Sequence, residues 1–221
     1  MVDFSDCVAE LEGWTPGKAV ILAGAGTSFC SGGEHQTINS ILTRGGLMCG
    51  YMQDATSRLF NLPLVSVAAI AGHALGGGAE LATACDFRIM KQAAKIGFVQ
   101  VRLNLTTGWG GGTRLVKLIG RTKALSLLTS GRVLDAETAL KIGFVDAIVD
   151  NDGDIVDHAK DWLSRNVISE KETTAVVKQV VVAADNMSEK EAYDLERELF
   201  SNLFGSPSHI EAKNAASKFK K

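Results

Sequence analysis

The chain has 221 residues, of which 46% are hydrophobic and 22% charged, and a formal net charge of −2. This is the composition of a globular chain able to bury a sizeable core, and it excludes both disorder and the basic footprint of a nucleic-acid binder. No secretory signal or membrane-spanning apolar run is read. Cys7, Cys30, Cys49 and Cys85 form no CxxC pair and no metal-ligand spacing, so reduced thiols in a cytosolic compartment are expected.

The chain opens with a helical pattern carrying Val8, Leu11 and Trp14. The apolar run AVILA at 19–23 predicts a first strand, bounded by Pro16 and Gly17 before it and Gly24 and Gly26 after it. Residues 24–33 hold four glycines and small side chains, so backbone N–H groups are accessible there. Gly24 and Gly26 lack the third glycine and the helix opening of a dinucleotide fingerprint, which is rejected. Residues 35–61 read as mostly helical, interrupted at Gly45 and Gly46, with Met48, Met52, Leu59 and Phe60 on a core stripe. Cys30 and His35 are not aimed at one another by any sequence feature.

The most informative stretch follows. VSVAAI at 65–70 predicts a buried strand, and residues 79–84 have helix-forming composition. Between them Gly76, Gly77 and Gly78 permit close backbone approach at a helix mouth whose first N–H groups lack internal partners. Such a junction binds negative charge. No Lys-Ser or Lys-Thr follows, as a phosphate loop requires, whereas Glu80 stands in the first turn, well placed for proton transfer beside a carbonyl. Half of an oxyanion hole is one reading. Tight strand–helix packing explains the glycines alone equally well. His73 reads as a lone packing or pocket-lining histidine.

Residues 86–90 and 95–99 predict two more strands, the second leading into an irregular loop. Trp109 and the glycines at 110–112 open a helix that ends near Gly120, and a second helix covers 122–130. Asp135 caps a helix over 136–142, and residues 144–149 return to strand. Helices alone are expected from 150 onward, with a capping box at Ser188 and Glu191 and a last helix from Pro207. The fold class is therefore α/β, with a core over 1–149 and a helical region over 150–221. Lys218, Lys220 and Lys221 form a solvated basic end.

Four segments in order, FCSGGE at 29–34, GHALGGGAELATACDFRI at 72–89, GWGGGTRL at 108–115 and LDAETALKIGFV at 134–145, resemble the crotonase (enoyl-CoA hydratase/isomerase) family over essentially the whole chain. The resemblance implies a spiral of ββα turns and a homotrimer or homohexamer held by the C-terminal helices. It also implies an acyl-CoA thioester substrate, with no cofactor beyond its coenzyme A and no nucleic-acid or membrane partner. By position, the thioester oxygen is received by the N–H groups of Gly33 and Gly77, with Ser31, Gly32, Gly76, His73 and Trp109 lining the substrate site.

Hydratases of the family use two glutamates. One matches Glu80, and the other falls at Gln100, which cannot exchange a proton. Ordinary hydration is therefore not expected. A malonyl-type thioester forms its enolate by losing CO2, without a base. The likeness points to family members acting on a short 2-alkylmalonyl-CoA, ethyl-branched rather than methyl-branched, with Gln100 orienting the substrate carboxylate and a protonated Glu80 donating to Cα. An isomerase, a thioester hydrolase or a catalytically silent acyl-CoA-binding protein are the alternatives. Relative to the family the chain starts about one strand late, so an unpaired sheet edge is expected. Asn104 and Thr107 replace the usual Gly and Pro, so a differently shaped loop is expected ahead of Trp109.

Overall fold

The computed structural model describes residues 1–34 and 42–218. The expected helical start at His35, and Lys220 and Lys221, lie outside them. In chain order the elements are α1 (Val2–Glu12), β1 (Ala19–Ala23), a 3-10 turn (Leu42–Arg44), α2 (Gly45–Asn61), β2 (Val65–Ile70), β3 (His73–Leu75) and α3 (Gly77–Ala82). Then come β4 (Phe87–Lys91), β5 (Lys95–Gly97), a 3-10 turn (Gln100–Leu103), α4 (Gly111–Ile119), α5 (Arg121–Ser130), β6 (Val133–Asp135), α6 (Ala136–Lys141) and β7 (Ala147–Val149). Four helices complete the chain: α7 (Ile155–Asn166), α8 (Lys171–Asn186), α9 (Glu189–Leu203) and α10 (Pro207–Lys218).

Two sheets are formed. The first is all parallel, in the order β1-β2-β4-β7, and the second has the order β3-β5-β6, with β3 parallel and β6 antiparallel to β5. A parallel strand covered on both faces needs a continuous apolar run, which VSVAAI supplies. Its alternation then divides the core. Ala68 and Ile70 face the large cluster with Met90, Leu115 and Phe144, while Val67 and Ala69 face a second cluster with Ile89 and with Ile155 and Ala159 of α7. β1 lies at the edge of the first sheet.

The chain divides into two compact units, Met1–Ile168 and Ser169–Lys221. Residues 150–168, grouped by sequence with the helical region, belong to the first unit because α7 covers one face of the parallel sheet, with Trp162 packed at 4.8 Å on Phe87. Gly45 and Gly46 begin α2 directly after the 3-10 turn, so a change of element falls where the sequence marks an interruption. The strand expected over 144–149 shortens to Ala147–Val149. Asp135 caps α6 through Thr138 N at 2.8 Å, and both arms of the Ser188–Glu191 capping box are present in the second unit.

Candidate active site

The loop after β1 and the mouth of α3 meet backbone to backbone. Phe29 N and Cys30 N donate to the His73 carbonyl at 3.0 and 3.1 Å, and Leu75 N donates to Cys30 O at 2.9 Å. Cys30 thereby forms a parallel bridge with Ala74 of β3. Beyond it Gly32 turns at φ +100°, its N–H on Cys30 Sγ at 3.4 Å, and a Cβ added there would lie 3.3 Å from Gly77 N. A Cβ on Gly78 would strike the Cys30 carbonyl. Gly76, at φ +57°, makes the turn into α3.

Glycine is thus required for close packing, and the same packing brings residues 32 and 33 to the helix mouth. As the first residue of α3, Gly77 has an N–H with no intrahelical acceptor. Of the two readings of the glycine run, tight strand–helix packing is the one these contacts display. Ser31 is exposed, and so is the His73 side chain; it is the His73 carbonyl that ties the loop down.

Glu80 is only 2% exposed. Its Oε1 accepts from Gln100 Nε2 at 2.9 Å and Gly108 N at 3.2 Å, and its Oε2 accepts from Trp109 N at 2.7 Å and Gly111 N at 3.0 Å. Three of the four partners are backbone N–H groups, which can only donate, and the Gln100 amide presents its NH2 to the carboxyl group. These contacts tie the Glu80 side chain to the 108–111 turn and to Gln100. Among the described residues the Gln100 Oε1 is buried without a hydrogen-bond partner.

Trp109 is buried, and its indole lies on Gly77: a Cβ there would come within 2.5 Å of Cζ3 and 2.6 Å of Cη2. The structure thus brings Gly32, Gly33, Gly76, Gly77, Glu80, Gln100 and Trp109 into one region. Asn104 ends the second 3-10 turn at φ 55°, the one positive φ outside glycine among the described residues.

Arg114 is a member of the site that was visible in the sequence only as part of a motif. Its Nη2 donates to Trp109 O at 2.7 Å, Nε to Thr83 Oγ1 at 3.0 Å and Nη1 to Thr56 Oγ1 at 3.3 Å. Burial pulls its guanidinium below the ordinary arginine range, and the nearby Glu80 charge opposes that pull. The N–H groups of Gly108 and Gly111 were also overlooked. The signal for them was the glycine-rich turn itself, which offers donors to any nearby carboxylate.

The pattern described as enoyl-CoA hydratase/isomerase matches residues 1–220, and the chain belongs to that family. An ethylmalonyl-CoA decarboxylase of Danio rerio is 41% identical over 96% of this chain and 72% of its own length. The Homo sapiens protein of the same name is 37% identical over 100% of this chain and 73% of its own. Among solved structures, an enoyl-CoA hydratase from Geobacillus kaustophilus superposes with a TM-score of 0.91 at 26% identity, over 98% of this chain and 83% of that one.

Proposed function

We propose that the protein is a carboxy-lyase that decarboxylates a short 2-alkylmalonyl-CoA, with ethylmalonyl-CoA preferred to methylmalonyl-CoA. The observation that carries this reading is the state of the two side chains that a hydratase would use. Gln100 is an amide, and Glu80 is committed to four N–H donors, one of them from Gln100. No acid–base couple remains for adding water across a double bond. Decarboxylation needs none to generate its enolate. The relatives named ethylmalonyl-CoA decarboxylase support the same reading.

In the proposed reaction the substrate's C–COO⁻ bond stands perpendicular to the thioester plane. Its electron pair moves into the thioester as CO2 departs, and the resulting oxyanion is held by the N–H groups of Gly33 and Gly77. One such donor is typically worth about 10²–10³ in kcat. A proton then enters at Cα, giving the linear acyl-CoA, so one proton is consumed per CO2 released. The CoA moiety belongs to the substrate, and the reaction calls for no further cofactor.

The reading includes a cytosolic homotrimer or homohexamer. Within Ser169–Lys221 the large apolar side chains Val177, Val181, Phe200, Phe204 and Ile210 are exposed, as suits a self-associating surface. No helix among the described residues is long and apolar enough to cross a membrane.

The test is to incubate the purified protein with ethylmalonyl-CoA and follow butyryl-CoA by mass, beside crotonyl-CoA hydration and a Gly77→Pro variant. Butyryl-CoA formation that Gly77→Pro abolishes is expected. Hydration of crotonyl-CoA at ordinary hydratase rates would overturn the reading.

A further inference from the structure

We propose that Arg114 is a positioning residue that sets the alkyl-chain selectivity of this site by holding the Trp109 ring on Gly77. The inference rests on the decarboxylase reading above.

Arg114 sits in the first turns of α4 with its guanidinium turned back toward the start of the helix. Gly110, at φ +82°, makes room for it, since a Cβ there would lie 2.7 Å from Nη1. Its acceptors are neutral: Trp109 O at 2.7 Å, Thr83 Oγ1 at 3.0 Å, Thr56 Oγ1 at 3.3 Å and Glu80 O at 3.5 Å. No described carboxylate forms an ion pair with it. A half-buried charge resting on neutral oxygens has no ion pair to offset its desolvation, so a nearby geometry that depends on it is a more natural reason for its presence than a gain in stability.

That geometry is the Trp109 peptide. Its N–H is fixed by Glu80 Oε2 at 2.7 Å, and its carbonyl is fixed by Arg114 Nη2 at 2.7 Å. A peptide gripped at both its donor and its acceptor fixes the origin of the Trp109 side chain, and contact with Gly77 confines the ring from there. The ring lies over the Cα of Gly77, whose N–H is the proposed oxyanion donor. A substrate oxygen about 2.9 Å from that N–H places the alkyl branch on Cα only a few bonds further, within roughly 6 Å of Gly77 N. Among the described residues, the Trp109 indole is a large rigid surface lying against Gly77. Holding it still fixes the room left for the branch, and one methylene against a fixed apolar wall is typically worth ~10–200-fold in kcat/KM.

The experiment measures kcat/KM for methyl-, ethyl-, propyl- and butylmalonyl-CoA with wild type, Arg114→Met, Arg114→Lys and Thr83→Val. The readout is the ratio between neighbouring chain lengths, which does not depend on the fraction of active enzyme. Wild type is expected to fall by ~10-fold or more at the first length beyond its optimum, Arg114→Met to compress that step to below ~3-fold, and Arg114→Lys and Thr83→Val to give intermediate ratios. Lower activity with the wild-type ratios preserved would overturn the proposal and leave Arg114 a purely structural role. If Arg114→Met does not fold, Thr83→Val decides by the same ratio. Wild type that releases CO2 from no member of the series would overturn the decarboxylase reading, and this inference with it.

Discussion

Replacing Glu80 with glutamine separates an anchoring carboxylate from a proton-donating one. The native carboxylate accepts four N–H bonds at 2.7 to 3.2 Å in a site with 2% residue exposure. A glutamine keeps one oxygen and turns an NH2 toward the other two donors. If Gln100 flips its amide to compensate, one clash is repaired, and Gly108 N or its counterpart still lacks an acceptor. One buried donor without a partner costs about 1–3 kcal/mol, and the two surviving bonds lose charge assistance, so the loss is about 2–5 kcal/mol. For a chain of this size that corresponds to a Tm lower by roughly 4–20 °C. Thermal unfolding followed by circular dichroism, with kcat measured well below the transition, is the assay. An unchanged Tm, within about 2 °C of wild type, combined with abolished turnover would refute the anchoring role and favour Glu80 as proton donor.

Three further outcomes follow from the same contacts. Gly77→Ala drives a Cβ to 2.5–2.9 Å from three indole carbons of Trp109; it should cost about 1–3 kcal/mol and, by shifting the N–H, ~10²-fold or more in kcat, with Trp109→Ala in the same chain recovering much of the stability in a double-mutant cycle. Arg88 is buried, donates to the carbonyls of Phe144, Cys85 and Asp86 and pairs with Asp146 at 3.0 Å. Because Asp146 keeps partial contact with water, Arg88→Met should cost about 2–4 kcal/mol by denaturant titration, below the range for a fully buried pair. Finally, Arg58 grips both Glu12 oxygens at 2.7 Å and links α2 to α1, and its hydrogen bonds hold the Glu12 carboxyl below the usual carboxylate range. A folded value below the unfolded one gives stability that is present at neutral pH and lost as pH falls through the lowered folded value. Glu12→Gln should therefore lower Tm slightly at neutral pH and leave it unchanged in strong acid, as melts across that range can check.

Much of the fold was legible because its signals are local. The runs AVILA and VSVAAI carry the apolar continuity of buried parallel strands, and Asp135 and Ser188 announce the helices they cap. The three-residue strands β3 and β6 were not seen, since neither lies in a longer apolar run as β5 and β7 do, and each is fixed by pairing with β5. The role of α7 was hidden for a similar reason: Ile155, Ala159 and Trp162 mark a helix with an apolar face, and the sheet that receives it is distant in sequence. At the site, the glycines and Glu80 were recognisable, whereas the fact that Glu80 faces only donors depends on a turn 28 to 31 residues further along the chain. Arg114 reads in sequence as an ordinary helix cation, and only the fold turns it onto the Trp109 carbonyl.

The most direct test of the account is to supply ethylmalonyl-CoA labelled with ¹³C in its free carboxylate and follow the label by NMR as the purified protein turns it over. The account predicts that the label leaves as CO2 and bicarbonate in step with formation of unlabelled butyryl-CoA. Label that stays on the thioester, or free coenzyme A appearing with the malonyl carbon skeleton intact, would contradict it.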